Sequence, residues 1–222
     1  LVATITNNTI VNNTLTLTAL ATINGSAIEV KGDIVYTDTS WTGSSTVIAN
    51  GTVDQNISGT GEVSNFEIDK LSGNLIVNSN LNINIGTWTH TAGNIVWNGN
   101  TLNCTGTPVT IVDGRFDNLT LNNASLVVTI TNNTIVNNTL SLNALATING
   151  SDIEVKGDLV FTDTSWAGSG GIVANGTSDQ NVSGAGEVSR FEINKISGDL
   201  IFNSDLNINV GVWTHTAGNI IW

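Results

Sequence analysis

The chain has 222 residues, 40% of them hydrophobic and only 11% charged, and a formal net charge of −12. Six basic residues leave no patch for a phosphate backbone, which argues against nucleic-acid binding. No apolar run approaches the roughly 18 residues of a membrane span, and a lone cysteine, Cys104, rules out an internal disulfide framework or a multi-thiolate metal site. Asn, Thr, Gly and Ser number 33, 31, 23 and 18 and make up nearly half the chain, a mixture poor in helix formers and rich in strand and turn residues. There is no Met, and Leu1-Val2-Ala3 begins neither a charged region nor a signal-like apolar block, so the chain is read as a processed product or an excerpt.

In chain order, apolar and polar residues alternate in short runs, as in strands with one buried face. Leu15-Thr16-Leu17-Thr18-Ala19-Leu20, Leu75-Ile76-Val77 and Leu81-Asn82-Ile83-Asn84-Ile85 are such runs. Asn24-Gly25, Gly32-Asp33, Asn50-Gly51 and Ser58-Gly59 punctuate them as turns. No stretch sustains a helical period. Pro108 falls in a connecting segment, and Asn118–Asn123 leads into Leu126–Ile130 with strand-like alternation, leaving no linker.

The chain repeats itself. Residues 1–97 align with 126–222 without a gap and with 74 identities in 97 positions. Trp41, Trp88, Trp97 and His90 recur as Trp166, Trp213, Trp222 and His215. Nine of the 23 differences exchange similar apolar residues, such as Ile34 for Leu159, Tyr36 for Phe161 and Val77 for Phe202, which suits core positions that tolerate changes of shape but not of polarity. The expected organisation is a complete repeat unit at 1–125 and a truncated second unit at 126–222, continuous with the first. Phe66, Phe116 and Phe191 stand 50 and then 75 residues apart, a spacing that suggests coils of about 25 residues, with about 21 as the alternative. The expected fold is all-β, a parallel β-solenoid (β-helix) of tandem coils with about 21–25 residues each. A pair of β-sandwiches is the competing reading, disfavoured by the Asn, Thr and Gly that stack as ladders and by the scarcity of Lys and Glu.

Val47 through Gly61, with Gln55, Ile57, Ser58, Gly59 and Gly61 in place, resembles the G-x-x-Q-x-I-S-G-x-G element of β-strand-repeat surface proteins. Ile83–Gly86 and Gly93–Leu102 resemble the L-x-I-x-x-G and G-N-x-x-x-N-G-N-T-L elements beside it, although Trp88 stands where such repeats usually carry Leu. The resemblance is to filamentous-haemagglutinin-like secreted surface and sheath proteins of bacteria and archaea. It implies a parallel β-solenoid and an extracellular, cell-surface location.

The candidate sites are few. His90 and His215 lie in Trp-Thr-His-Thr-Ala-Gly with no second ligand nearby, and read as structural. The acids Glu29, Asp33, Asp38, Asp54, Glu62, Glu67 and Asp69 form no calcium-loop motif. No catalytic group, cofactor or metal is expected, because near-equal copies dilute any unique acid pair. Thr14, Thr16 and Thr18 would suit an ice-binding array, but the second copy changes them to Thr139, Ser141 and Asn143.

Sequons at Asn7, Asn12, Asn24, Asn50, Asn56, Asn132, Asn137, Asn149, Asn175 and Asn181 are candidate glycosylation sites, with Asn103, Asn118 and Asn123 completing the set. Cys104, Trp41, Trp88, Trp166 and Trp213 are candidate inter-chain contacts, with burial the favoured reading for Cys104 and core packing the alternative for the tryptophans. The expected function is non-enzymatic: an extracellular building element of a filament, sheath or surface layer that associates with itself. A stalk for an adhesin or carbohydrate-binding protein, with cell-envelope polysaccharide as partner, is the alternative.

Overall fold

The computed structural model describes residues 2–18, 21–37, 41–123, 125–144, 146–162, 166–208 and 211–222. Every regular element among them is a β-strand, and every pair of strands with a resolved register runs parallel. The fold is a parallel β-solenoid. It divides into two compact units, Leu1–Asn103 and Cys104–Trp222.

In the first unit each coil turns through three faces. On one face Thr9–Val11 pairs with Ile28–Val30, then Thr46–Ala49, the first half of Asn65–Val77 and the first half of Gly86–Val96. On the next, Leu15–Leu17, Ile34–Tyr36, Gln55–Gly59 and the second half of Asn65–Val77 stack in the same direction. The third carries Val2–Ile5, Ala21–Gly25 and Trp41–Thr42, with Glu62–Val63 paired to Leu81–Ile83.

The first ladder advances from Thr9 to Ile28, Val47 and Phe66 in steps of 19 residues, then by 22 to Trp88. The second unit takes the same steps from Thr134 through Ile153, Ile172 and Phe191 to Trp213. Coils are therefore close to 20 residues, shorter than the phenylalanine spacing suggested. Phe66 is paired with Val47 and Trp88, so the 25-residue echo marks a recurring core position rather than one turn of the chain.

Alternation along each strand explains why these residues build this shape. Ile28, Val30, Ile34, Tyr36, Val47, Ala49, Ile57, Phe66 and Ile68 point inward and are buried, while the residues between them face out. Each such large side chain contributes about 1.5–3 kcal/mol on leaving water. The second unit fills equivalent places with Ile153, Val155, Leu159, Phe161, Ile172, Phe191 and Ile193. Strands this short need tight corners. Gly59, at φ 126°, is one: a Cβ there would collide with the Tyr36 carbonyl of the preceding coil.

Candidate functional site

The most constrained polar cluster of the first unit lies where the chain turns between Gly51 and Gln55. Gln55 is fully buried, and its Nε2 donates to the Val30 and Gly32 carbonyls of the coil before at 2.9 and 2.6 Å. Its Oε1 accepts the Gly51 N–H at 2.7 Å. From the following coil Lys70, 2% exposed, brings its Nζ to Gly51 O at 2.7 Å, Val53 O at 2.9 Å and Gln55 Oε1 at 2.9 Å. One ammonium thus spends its three donors on three acceptors, which is what a buried cation requires. Burial pushes the ammonium below the usual lysine value, with the Asp54 charge opposing.

The second unit repeats the cluster with Gln180 and Lys195. Lys195 Nζ donates to Gly176 O, Ser178 O and Gln180 Oε1 at 2.9, 2.8 and 2.9 Å. Sequence reading placed Gln55 in a repeat element but assigned no role to it, to Gln180 or to the two lysines. A usable sign was present, since Gln55 and Gln180 are the two glutamines of the chain and stand one repeat apart.

Outside the core, carboxylates and amides bond from rung to rung. Asp33 Oδ1 accepts the Asn56 N–H at 2.8 Å and Nδ2 at 3.1 Å, and Asn56 Oδ1 accepts Asn78 Nδ2 at 2.8 Å. Asp54, Asn74 and Asn94 form a second ladder at 3.1 and 2.9 Å. Glu29 accepts Asn50 Nδ2 at 2.9 Å and Lys31 Nζ at 3.0 Å. The Asn50 bond, and then Lys31, hold the Glu29 carboxyl below its ordinary value. At Glu154 burial pushes upward, but the bonds from Asn175 and Lys156 outweigh it and the net shift is again downward.

Differences between the copies are compensated locally. In the first unit Asn65 Nδ2 donates to Gly43 O and Oδ1 accepts the Thr87 N–H. In the second, Arg190 replaces Asn65 and Asp152 replaces Ala27, and the two newcomers form an ion pair at 3.5 Å. Beside that pair an open polar groove crosses successive rungs, lined by Asn132, Asn133, Asp152, Glu154, Val173 and Glu192. Glu154, Val173 and Glu192 are consecutive register partners on the outer surface.

The sequence-selected residues fall in varied places. His90 and His215 each lie 2.8 Å from a carbonyl three residues on, Gly93 O and Gly218 O, and so brace a corner. Cys104 is fully buried, and burial pushes its thiol up to about 12. Trp88 is fully buried against Phe66 and Trp97, with ring centroids 5.1 and 5.6 Å apart. Burial keeps Cys104 and Trp88 away from the surface that an inter-chain contact would need, because their apolar bulk fills the interior of the coil. Trp213 is half-buried against Phe191 and Phe202. The side chains of Trp41 and Trp166 lie outside the described residues.

The sequons divide as well. The Nδ2 atoms of Asn50, Asn56, Asn103, Asn123, Asn132, Asn175 and Asn181 donate within the fold, so a glycan there would displace a rung bond. Asn7, Asn12 and Asn137 are exposed; Asn24 and Asn149 are partly exposed, each before a glycine that is bonded to a serine hydroxyl.

Among the described residues no three His, Cys, Asp or Glu side chains gather as a metal centre needs, and no helix is long and apolar enough to cross a membrane. No family model, curated protein or solved structure matches the chain.

Proposed function

We propose that the chain is a structural building element of an extracellular filament, sheath or surface layer, acting by stacking rather than by chemistry. The observation that carries this reading is the disposition of the polar groups. Asp33, Asp54, Glu29, Gln55 and Lys70 are spent on holding one coil to the next, in a lattice that both copies repeat with the same steps. Each coil offers its backbone as a template for the next, and stability accumulates with coil number. The extracellular setting rests on the resemblance to secreted surface repeats.

Immunogold labelling of producing cells and electron microscopy of the material they shed test the proposal. Ordered fibres, sheaths or layers composed mainly of this chain are expected. Labelling confined to the cell interior would sink it.

A second reading, a stalk that touches cell-envelope polysaccharide, is favoured by the polar groove at Glu154, Val173 and Glu192. It predicts retention of the purified chain on such polysaccharide, weakened by Glu192→Ala.

A further inference from the structure

The thirteen sequons are alike in sequence but not in setting. An enzyme that glycosylates asparagine must draw the Nδ2 atom, and the hydroxyl two residues on, away from the surface of the chain, so the sequon has to lie where both are free to leave. In seven of them the Nδ2 atom is bonded to the preceding coil. Asn132 shows both obstacles: its Nδ2 donates to Asp113 Oδ2 at 3.0 Å, and the Thr134 that completes its sequon is fully buried. Asn7, exposed in the first copy, has this closed Asn132 as its counterpart. Asn24, Asn118 and Asn149 lie within paired strands, opposite Thr4, Thr139 and Thr129.

Asn12-Asn13-Thr14 and Asn137-Asn138-Thr139 occupy a different place, the same one in both copies. Val11 ends one ladder, opposite Val30, and Leu15 begins the next, opposite Ile34. Val136, opposite Val155, and Thr139, opposite Asp158, bracket the second sequon in the same way. The two asparagines between are the corner at which the chain passes from one ladder to the next, and in both copies they are exposed. Among the described residues neither Asn12 nor Asn137 sends its Nδ2 into a rung bond. The following coil packs closely on this corner, since a Cβ on Gly32 or Gly157 would collide with the Asn13 or Asn138 carbonyl. Stacking thus uses the backbone of the second asparagine and leaves the side chain of the first outside.

We propose that the folded chain presents one site of asparagine glycosylation per repeat, Asn12 and Asn137, and shields the sequons whose amides are built into the rungs. The donor is an oligosaccharide carried on a polyprenyl phosphate lipid. Nδ2 loses a proton to a basic group of the transferase and bonds to the anomeric carbon of the first sugar. The bond from that carbon to the phosphate oxygen breaks, and the lipid phosphate leaves with the electron pair, so nothing is oxidised or reduced. A glycan on this corner displaces none of the rung bonds. Its presence in the producing cell rests on the extracellular location proposed above, whereas transfer to the purified chain does not, so the two fail separately.

The chain is purified from a host without asparagine glycosylation and incubated, folded, with a purified oligosaccharyltransferase of N-x-[ST] specificity and its lipid-linked oligosaccharide. A tryptic digest of the same chain, in which no rung survives, is treated in parallel, and fragmentation mass spectrometry assigns the modified residues in both. In the folded chain, transfer to Asn12 and to Asn137 should each exceed transfer to any of the seven rung-bonded sequons by at least about tenfold, since those react only through local opening. In the digest that gap should close. Asn137→Gln should remove one of the two modifications and leave the one at Asn12. Absence of transfer to either residue in the folded chain, or equal transfer to the rung-bonded sequons, would overturn the proposal.

Discussion

At the scale of single residues, Lys70 and Lys195 set the most stringent condition. Each is almost fully buried, and each ties a corner of one coil to a strand of the next through three acceptors. Lys70→Met keeps the length of the side chain but strands Gly51 O, Val53 O and Gln55 Oε1, so it should cost about 2–3 kcal/mol in denaturant unfolding. An amine-reactive reagent should modify Lys31 and Lys156, whose side chains are 36% and 38% exposed, and spare Lys70 and Lys195 until the chain unfolds. Cys104, buried and with its thiol held protonated, should resist alkylation under native conditions and react at once in denaturant. Thr134 presents the opposite case. Its hydroxyl is buried without a hydrogen-bond partner, so Thr134→Val should raise stability by about 1 kcal/mol.

Elements owe their form to corners as much as to strands. Gly59 occupies a conformation that disfavours a side chain, against the Tyr36 carbonyl. Gly59→Ala should cost about 2–3 kcal/mol, more than the same change at an open position. The surface ladders add a dependence on acid. Because the Glu29 and Glu154 carboxyls are held below the ordinary 4.5, they bind protons more weakly when folded than when unfolded. Their contribution is fully present above 4.5 and is lost as pH falls through the lowered folded values. Thermal unfolding followed down that range should show the loss, and Asn50→Ala, which removes the bond that shifts Glu29 most, should flatten it.

For the whole molecule, the governing principle is that stacked coils interact chiefly with their sequential neighbours, and among the described residues the paired strands of each unit follow that order. A disturbance at Lys70 should therefore accelerate amide hydrogen exchange in the segments it binds, near 51–56 and 65–77, and leave the equivalent segments of the second copy unchanged. Exchange that rises throughout the chain would argue against this local architecture.

Much of this was legible beforehand. The 125-residue repeat, the alternation along Ile28–Val30 and Ile34–Tyr36, and the Asn-Gly corners announced parallel coils, because side-chain period and turn chemistry act over a few residues. Cys104 and Trp88 were harder to place, since an apolar residue on a strand faces inward or outward according to the register of its neighbours. The length of a coil was obscured for a related reason. Steps of 19, 22 and 23 residues occur within one repeat, and inserted corner residues such as Leu71 and Ser72 blur any single period.

The amino-acid order by itself determined the all-β class, the repeat and the want of basic surface, each a property of composition or spacing. Only the tertiary structure decided which polar residues become bonds. Gln55 meets Lys70 across 15 residues and Val30 across 25, separations that acquire meaning only once successive coils are laid on one another.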